Sequence, residues 1–306
     1  MFHRKKVIIE VEGGLGNTIF QYTAGKYLAN RIGTDVLVST KLIEKAKANH
    51  GFYLATIFPD IEFQDDNFLT RIRLWSWVER NFDRVFSGLA KRYRKVNKFH
   101  TYFFNTYHSQ VIGFDPNLDA IRLPVRLRGY FQSWKYAQSL IGSSELVPKL
   151  ENPSIWYSEM SENAKKLAPI VIHVRRGDYQ AHGDKYGLLS RTYYLNALKI
   201  IPEELRSNPI WVFSDEIDMA KDLLAGELPL STLWIQPPKS SNPAESLMLM
   251  TLGNAHIIAN STFSYWAAQL SSTSQIVIAP NKWFKSMEDP RCLINPSWHL
   301  VNSDWI

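Results

Sequence analysis

Five short β-branched runs in the second half of the chain, with helix-like segments between them, limit the fold more than any other feature. The runs are Ile170–Val174, Ile210–Ser214, Thr232–Ile235, Ile257–Ala259 and Ile276–Ala279, and helical spacing marks 192–200, 216–225, 244–252 and 262–270. Strands this short and this apolar, alternating with helices, require a parallel sheet covered by helices on both faces. Right-handed crossovers then gather every loop that follows a strand along one edge of the sheet. Ligands bind at that edge, outside the carboxyl ends of the strands.

The chain opens in the same style. Val7–Val11 reads as a buried strand, Gly13-Gly14-Leu15-Gly16-Asn17 as a turn, 18–31 as a helix and Val36–Ser39 as a second strand. The middle, 41–150, carries aromatic helical stretches and an expected hairpin near Leu123–Phe131. Asn152-Pro153-Ser154 marks a join, so we expect an α/β protein with one domain over 1–152 and a second over 153–306.

Composition excludes several classes. A chain of 306 residues, 45% hydrophobic and 21% charged, is ordinary for a globular protein. Its charge of +6 is concentrated, because residues 71–98 hold a local +7 and the remainder sums to −1. Nucleic-acid binding would have to reside in that segment, and the acidic remainder argues against it. The same segment sets Trp75, Trp77, Phe82, Phe86 and Tyr93 among its basic residues, a pattern suited to an anionic membrane surface, although a solvated helix face is the plainer reading. Cys292 is the only cysteine, so a reducing compartment is permitted. The run Val7-Ile8-Ile9, cut by Glu10, is too short for a signal peptide, and no stretch of about 18 apolar residues occurs. We expect a cytoplasmic protein, peripheral on the inner membrane face where 71–98 makes contact.

Three loops then fall at the ligand edge. His173-Val174-Arg175-Arg176-Gly177-Asp178-Tyr179 ends one strand, and adjacent arginines there suit a diphosphate, which planar guanidinium groups bind bidentately. The bland alternative is a surface arginine pair bonded to a carboxylate. Ser214 and Asp215 end the next strand and face a ribose or base, or simply cap the helix that follows. Asn260-Ser261-Thr262-Phe263-Ser264 opens a helix, and its hydroxyls and N–H groups either cap that helix or bind an anion. Convergence of the three favours phosphate.

Other cofactor signatures fail. Gly14-Leu15-Gly16 lacks the third small residue and the acid of a dinucleotide fingerprint, with Ile19 and Ser39-Thr40 in those places. There is no P-loop and no Asp-x-Asp, so we expect the arginines to neutralise a diphosphate without a divalent metal.

Together these strings resemble the α-1,2-fucosyltransferases of glycosyltransferase family 11. Gly13–Tyr22 matches the family's glycine-rich start with Thr18 and Ile19 substituted, His173–Tyr179 matches without change, and Asn260–Trp266 matches with Tyr265 for one Trp. Gly129-Tyr130-Phe131-Gln132-Ser133 is a lesser echo. The resemblance implies a GT-B-type fold, two Rossmann-like domains facing a cleft, with acceptor on the N-terminal half and GDP-fucose on the C-terminal half. It implies metal-independent, inverting transfer to O2 of a terminal galactose in a surface glycan. Arg175 would hold the β-phosphate with Arg176 in support, His173 would lie near the nucleoside, and Ser261, Thr262 and Ser264 would bind phosphate. Gly14, Gly16, Asn17, Ser214, Asp215 and Asn260 complete the expected donor site, and Asp178 joins Arg175 as a catalytic candidate, either taking the acceptor proton or orienting the arginines. Related fucosyltransferases set an Asp against guanine one helix earlier, where this chain has Ser246 beside Glu245, so Glu245 is the residue left for the base. A sugar-nucleotide-binding protein without turnover, or a transferase of another donor or linkage, is the alternative.

Overall fold

The computed structural model describes residues 6–46, 53–64 and 105–306. The basic segment 71–98, read as a solvated helix face or a membrane contact, lies outside the described residues. No described helix is long and apolar enough to cross a membrane.

Two parallel sheets organise the chain. The first has the order β2-β1-β4-β3, built from β1 (Val7–Glu10), β2 (Val36–Ser39), β3 (Thr106–His108) and β4 (Arg126–Arg128). The second has the order β10-β9-β8-β5-β6-β7, built from β5 (Ile170–Val174), β6 (Ile210–Ser214), β7 (Leu233–Trp234), β8 (Ala255–Ile257), β9 (Ile276–Pro280) and β10 (His299–Val301). β5 is buried at all five positions, as a central strand covered on both faces must be.

The hairpin expected near Leu123–Phe131 is not formed. β4 is a single strand lying parallel to both β1 and β3. Its Arg-Leu-Arg sequence enters the sheet because Glu10, 1% exposed, receives both guanidinium groups, Arg126 at 2.7 Å and Arg128 on the other carboxylate oxygen. Burial alone would raise the Glu10 pKa, but the two arginines outweigh it and hold the carboxyl below its ordinary value. An ion pair buried this deeply holds β1 against β4 only while both signs are present.

The halves meet through the first helix, Leu15–Ile32. Phe20 on it packs against Tyr265 and Trp266 of the helix Thr262–Gln269, with ring centroids 4.7 and 4.9 Å away. Gly16 permits that approach, because a Cβ there would stand 2.4 Å from the Thr262 carbonyl carbon. Further along, the backbone of Arg291 and Cys292 reaches back to Phe114, Ser133 and Trp134, while Trp305 covers Gly187 in the C-terminal half.

Candidate active site

The loops after β5, after β6 and after β8 come together beside the start of the first helix. β5 ends at Val174, and Arg175 leaves it to form an ion pair with Asp215, Nη1 to Oδ2 at 3.1 Å. The Tyr179 ring lies beneath the Arg175 guanidinium, 5.2 Å from it, and the Tyr179 hydroxyl donates to the Asn260 carbonyl at 3.1 Å. A cation held from one side by a carboxylate and from below by an aromatic ring keeps one orientation.

Arg176 has the opposite fate. It is 2% exposed, its backbone N–H donates to Asp215 Oδ1 at 2.9 Å, and its Nη2 donates to the Leu189 carbonyl at 2.7 Å. Burial pulls its pKa down. Of the adjacent pair, Arg175 is the partly exposed arginine and Arg176 braces the loop. Gly177 follows because the carboxylate of Asp215 fills the space, 2.3 Å from where a Cβ would stand. Asp178 opens a short 3-10 turn, Asp178–His182, and Asp215 is a carboxylate that holds Arg175.

His173 is buried against Phe263, with ring centroids 6.0 Å apart, and its Nδ1 has no partner. Burial first, then the Arg175 charge, push its pKa down to about 3. The imidazole is therefore neutral at any working pH and offers a donor or an acceptor, not a cation.

The loop after β8 supplies scaffold residues and an uncapped helix start. Asn260 is a scaffold residue, its Nδ2 donating to the carbonyls of Tyr186, Gly187 and Trp283. Ser264 donates back to the Ala259 and Ser261 carbonyls. Ser261, by contrast, makes no side-chain cap, so the first-turn N–H groups of Thr262–Gln269 have no partner from the helix or from its cap residue. The first helix also starts without a side-chain cap, at Gly14, where a Cβ would meet no atom within 4 Å. Two positive helix ends thus lie side by side at the Gly16–Thr262 contact, an arrangement that an anion beside both would relieve.

The remaining expected residues scatter. Asn17 accepts from Gln132 Nε2 at 2.9 Å on the N-terminal side. The Ser214 hydroxyl caps the following turn, accepting from the Glu216 N–H at 3.0 Å. Glu245 is buried and receives the Ser154 N–H and hydroxyl, one on each carboxylate oxygen, at 2.6 and 2.8 Å. Both of its oxygens are thereby engaged at the head of the helix Ile155–Leu167, and Ser246 beside it is half-buried. Sequence reasoning missed the Asp215–Arg175 pair, the Tyr179 platform and the close approach at Gly16. Only the glycine itself hinted at the last of these. Among the described residues, no group of three or more His, Cys, Asp or Glu side chains gathers to hold a metal ion.

The chain is similar to known proteins over most of its length. The family model described as Glycosyl transferase family 11 matches residues 6–301. An alpha-1,2-colitosyltransferase of Escherichia coli is 24% identical over 92% of this chain and 93% of its own length. The O-antigen biosynthesis glycosyltransferase WbnK of Escherichia coli is 27% identical over 90% of this chain and 93% of its own. Among solved structures, NodZ alpha-1,6-fucosyltransferase soaked with GDP-fucose superposes with a TM-score of 0.51 at 12% identity, covering 94% of this chain and all of that one.

Proposed function

The chain belongs to glycosyl transferase family 11, and from that membership we propose that it transfers L-fucose from GDP-fucose, with inversion, to O2 of a terminal β-galactoside. It is a glycosyltransferase of GT-B fold. The observation that carries the donor reading is the convergence of Arg175 with two uncapped helix starts, at Gly14 and Ser261. In this reading residues 1–152 hold the acceptor and 153–306 hold the donor.

As the bond from C1 of fucose to the diphosphate oxygen breaks, its electron pair passes to the departing GDP. Arg175 and the N–H groups of Thr262–Gln269 face that growing charge and bind the transition state more tightly than the ground state. Neutral His173, with its Nδ1 unsatisfied, takes a polar group of the donor. Asp178 is the donor-side candidate to take the acceptor proton.

The test is thermal. GDP and GDP-fucose should raise the melting temperature, and UDP or ADP much less, because a ligand that binds only the folded state stabilises it. Equal stabilisation by UDP would remove the guanine assignment. We also propose that fixed cations take the place of a metal. Turnover should then survive EDTA nearly intact, whereas full loss with EDTA and recovery with Mn²⁺ or Mg²⁺ would contradict an arginine-based mechanism.

A further inference from the structure

The donor reading leaves unexplained a polar cluster on the N-terminal half. Glu12 follows β1 and precedes the glycine turn, two residues from Gly14 and four from the Gly16 contact with Thr262. It is half-buried, and its backbone N–H donates to Gln21 Oε1 at 2.9 Å. After β4, on the same sheet edge, come Tyr130, which is 41% exposed, and Gln132, which is 7% exposed. Gln132 Oε1 and Gln21 Nε2 are buried and have no hydrogen-bond partner among the described residues. Buried amide atoms left unmet call for a polar partner from outside the chain.

Tyr130 ties this cluster to the donor side. Besides burial, its hydroxyl feels the charge of Glu12 and the hydroxyl of Tyr186. Tyr186 stacks on Tyr179 at 5.1 Å, and Tyr179 underlies Arg175. Glu12 and Tyr130 follow the paired parallel strands β1 and β4, so both stand at the carboxyl edge of the first sheet, and Glu12 is close in sequence to the Gly16 contact with Thr262. The charged groups that reach Glu12 are Arg128 and Glu10, and Glu12 in turn acts on Tyr130.

We infer that Glu12 and Tyr130 form the acceptor subsite, with the Tyr130 ring against the apolar face of a sugar and the Glu12 carboxylate accepting hydrogen bonds from its hydroxyls. An aromatic platform with an apolar face and a charged acceptor beside it recognises a polyhydroxylated ring and little else. Arg128 is paired with Glu10, and among the described residues no ion pair engages the Glu12 carboxylate. The inference rests on the glycosyl-transfer reading and names where its second substrate sits.

Acidity gives it a signature. Burial raises the Glu12 carboxyl above its ordinary value, Arg128 opposes this only in part, and Glu10 adds to the rise. The carboxylate is charged above that raised value and neutral below it, so acceptor binding should weaken as pH falls through it.

The experiment follows GDP-fucose turnover with methyl β-D-galactopyranoside and other methyl glycosides, using whichever the wild-type enzyme accepts. Glu12→Gln and Tyr130→Ala should each raise acceptor KM about tenfold or more, leaving donor KM and the GDP melting shift unchanged. Glu12→Gln should also abolish the acid-side rise in acceptor KM. Either variant folded, with GDP still stabilising it and acceptor KM at the wild-type value, overturns the subsite. So does a Glu12→Gln protein whose kcat collapses while acceptor KM stays constant, which would mark a proton-transfer group. Wild-type protein that GDP stabilises but that turns over no methyl glycoside also counts against the subsite, whereas loss of the GDP effect itself would fail the donor reading.

Discussion

Arg175→Ala should lower kcat by about 10²–10³, the size of effect expected when one fixed electrostatic donor to a developing charge is lost. Its partner Asp215 retains the Arg176 N–H, and both members of the ion pair are about a quarter exposed. Losing such a pair costs about 1 kcal/mol or less, so the melting temperature without donor should hardly move. Arg175→Lys should recover little, because an ammonium cannot reproduce the guanidinium fork over Tyr179. Arg176→Ala separates the two neighbours. It removes a buried donor from the Leu189 carbonyl, so its main effect should be a loss of stability of about 1–3 kcal/mol. Steady-state kinetics beside melting curves distinguish the two roles. Arg175→Ala protein that folds and keeps wild-type turnover would mean that the diphosphate is held elsewhere.

Gly16→Ala should damage both the fold and the site. The added carbon would meet the Thr262 carbonyl carbon at 2.4 Å, the Thr262 oxygen at 2.5 Å and the Phe263 nitrogen at 2.7 Å. These are backbone atoms and cannot rotate aside, so the first helix and Thr262–Gln269 must separate. Overpacking of this kind costs about 1–3 kcal/mol. Activity should fall further than stability, by about a hundredfold, since a displacement of about 1 Å suffices for that loss. Gly14→Ala is the control for stability. Its backbone sits at φ −75° and no atom lies within 4 Å of the new carbon, so the melting temperature without donor should stay near wild type. Equal melting temperatures for Gly16→Ala and wild type would show that the close contact is not maintained in solution.

The sequence carried β5, β6 and β9 nearly to the residue, while the strand expected at Ile257–Ala259 lies two residues earlier, at Ala255–Ile257. Ile210–Ser214 and Ile170–Val174 are central strands, buried on both faces, and their β-branched runs state as much. β4 was hidden because its two arginines point to a buried partner, Glu10, that lies 116 and 118 residues away. Hydropathy reads Arg-Leu-Arg as surface. β10 was hidden for a related reason. It is an edge strand with two exposed residues, His299 and Leu300, and its place is set by pairing with β9.

At the site, the strand-end position of Arg175 was legible and the resemblance gave Arg176 the supporting place, but the partners that hold Arg176 there were not legible. Which of two adjacent arginines turns inward depends on the Leu189 carbonyl and the Asp215 carboxylate, both supplied by distant segments. Glu245 was expected near the base because Ser246 stands in the usual Asp position. Its carboxylate is instead closed by Ser154, whose place at the head of Ile155–Leu167 only the tertiary fold reveals.

Product analysis tests the whole account most directly. Wild-type protein incubated with GDP-fucose and a panel of galactosides, read by mass spectrometry, should release GDP and add one deoxyhexose to a β-galactoside at O2. Release of GDP with no glycosylated product, or transfer only from a different sugar nucleotide, would contradict it.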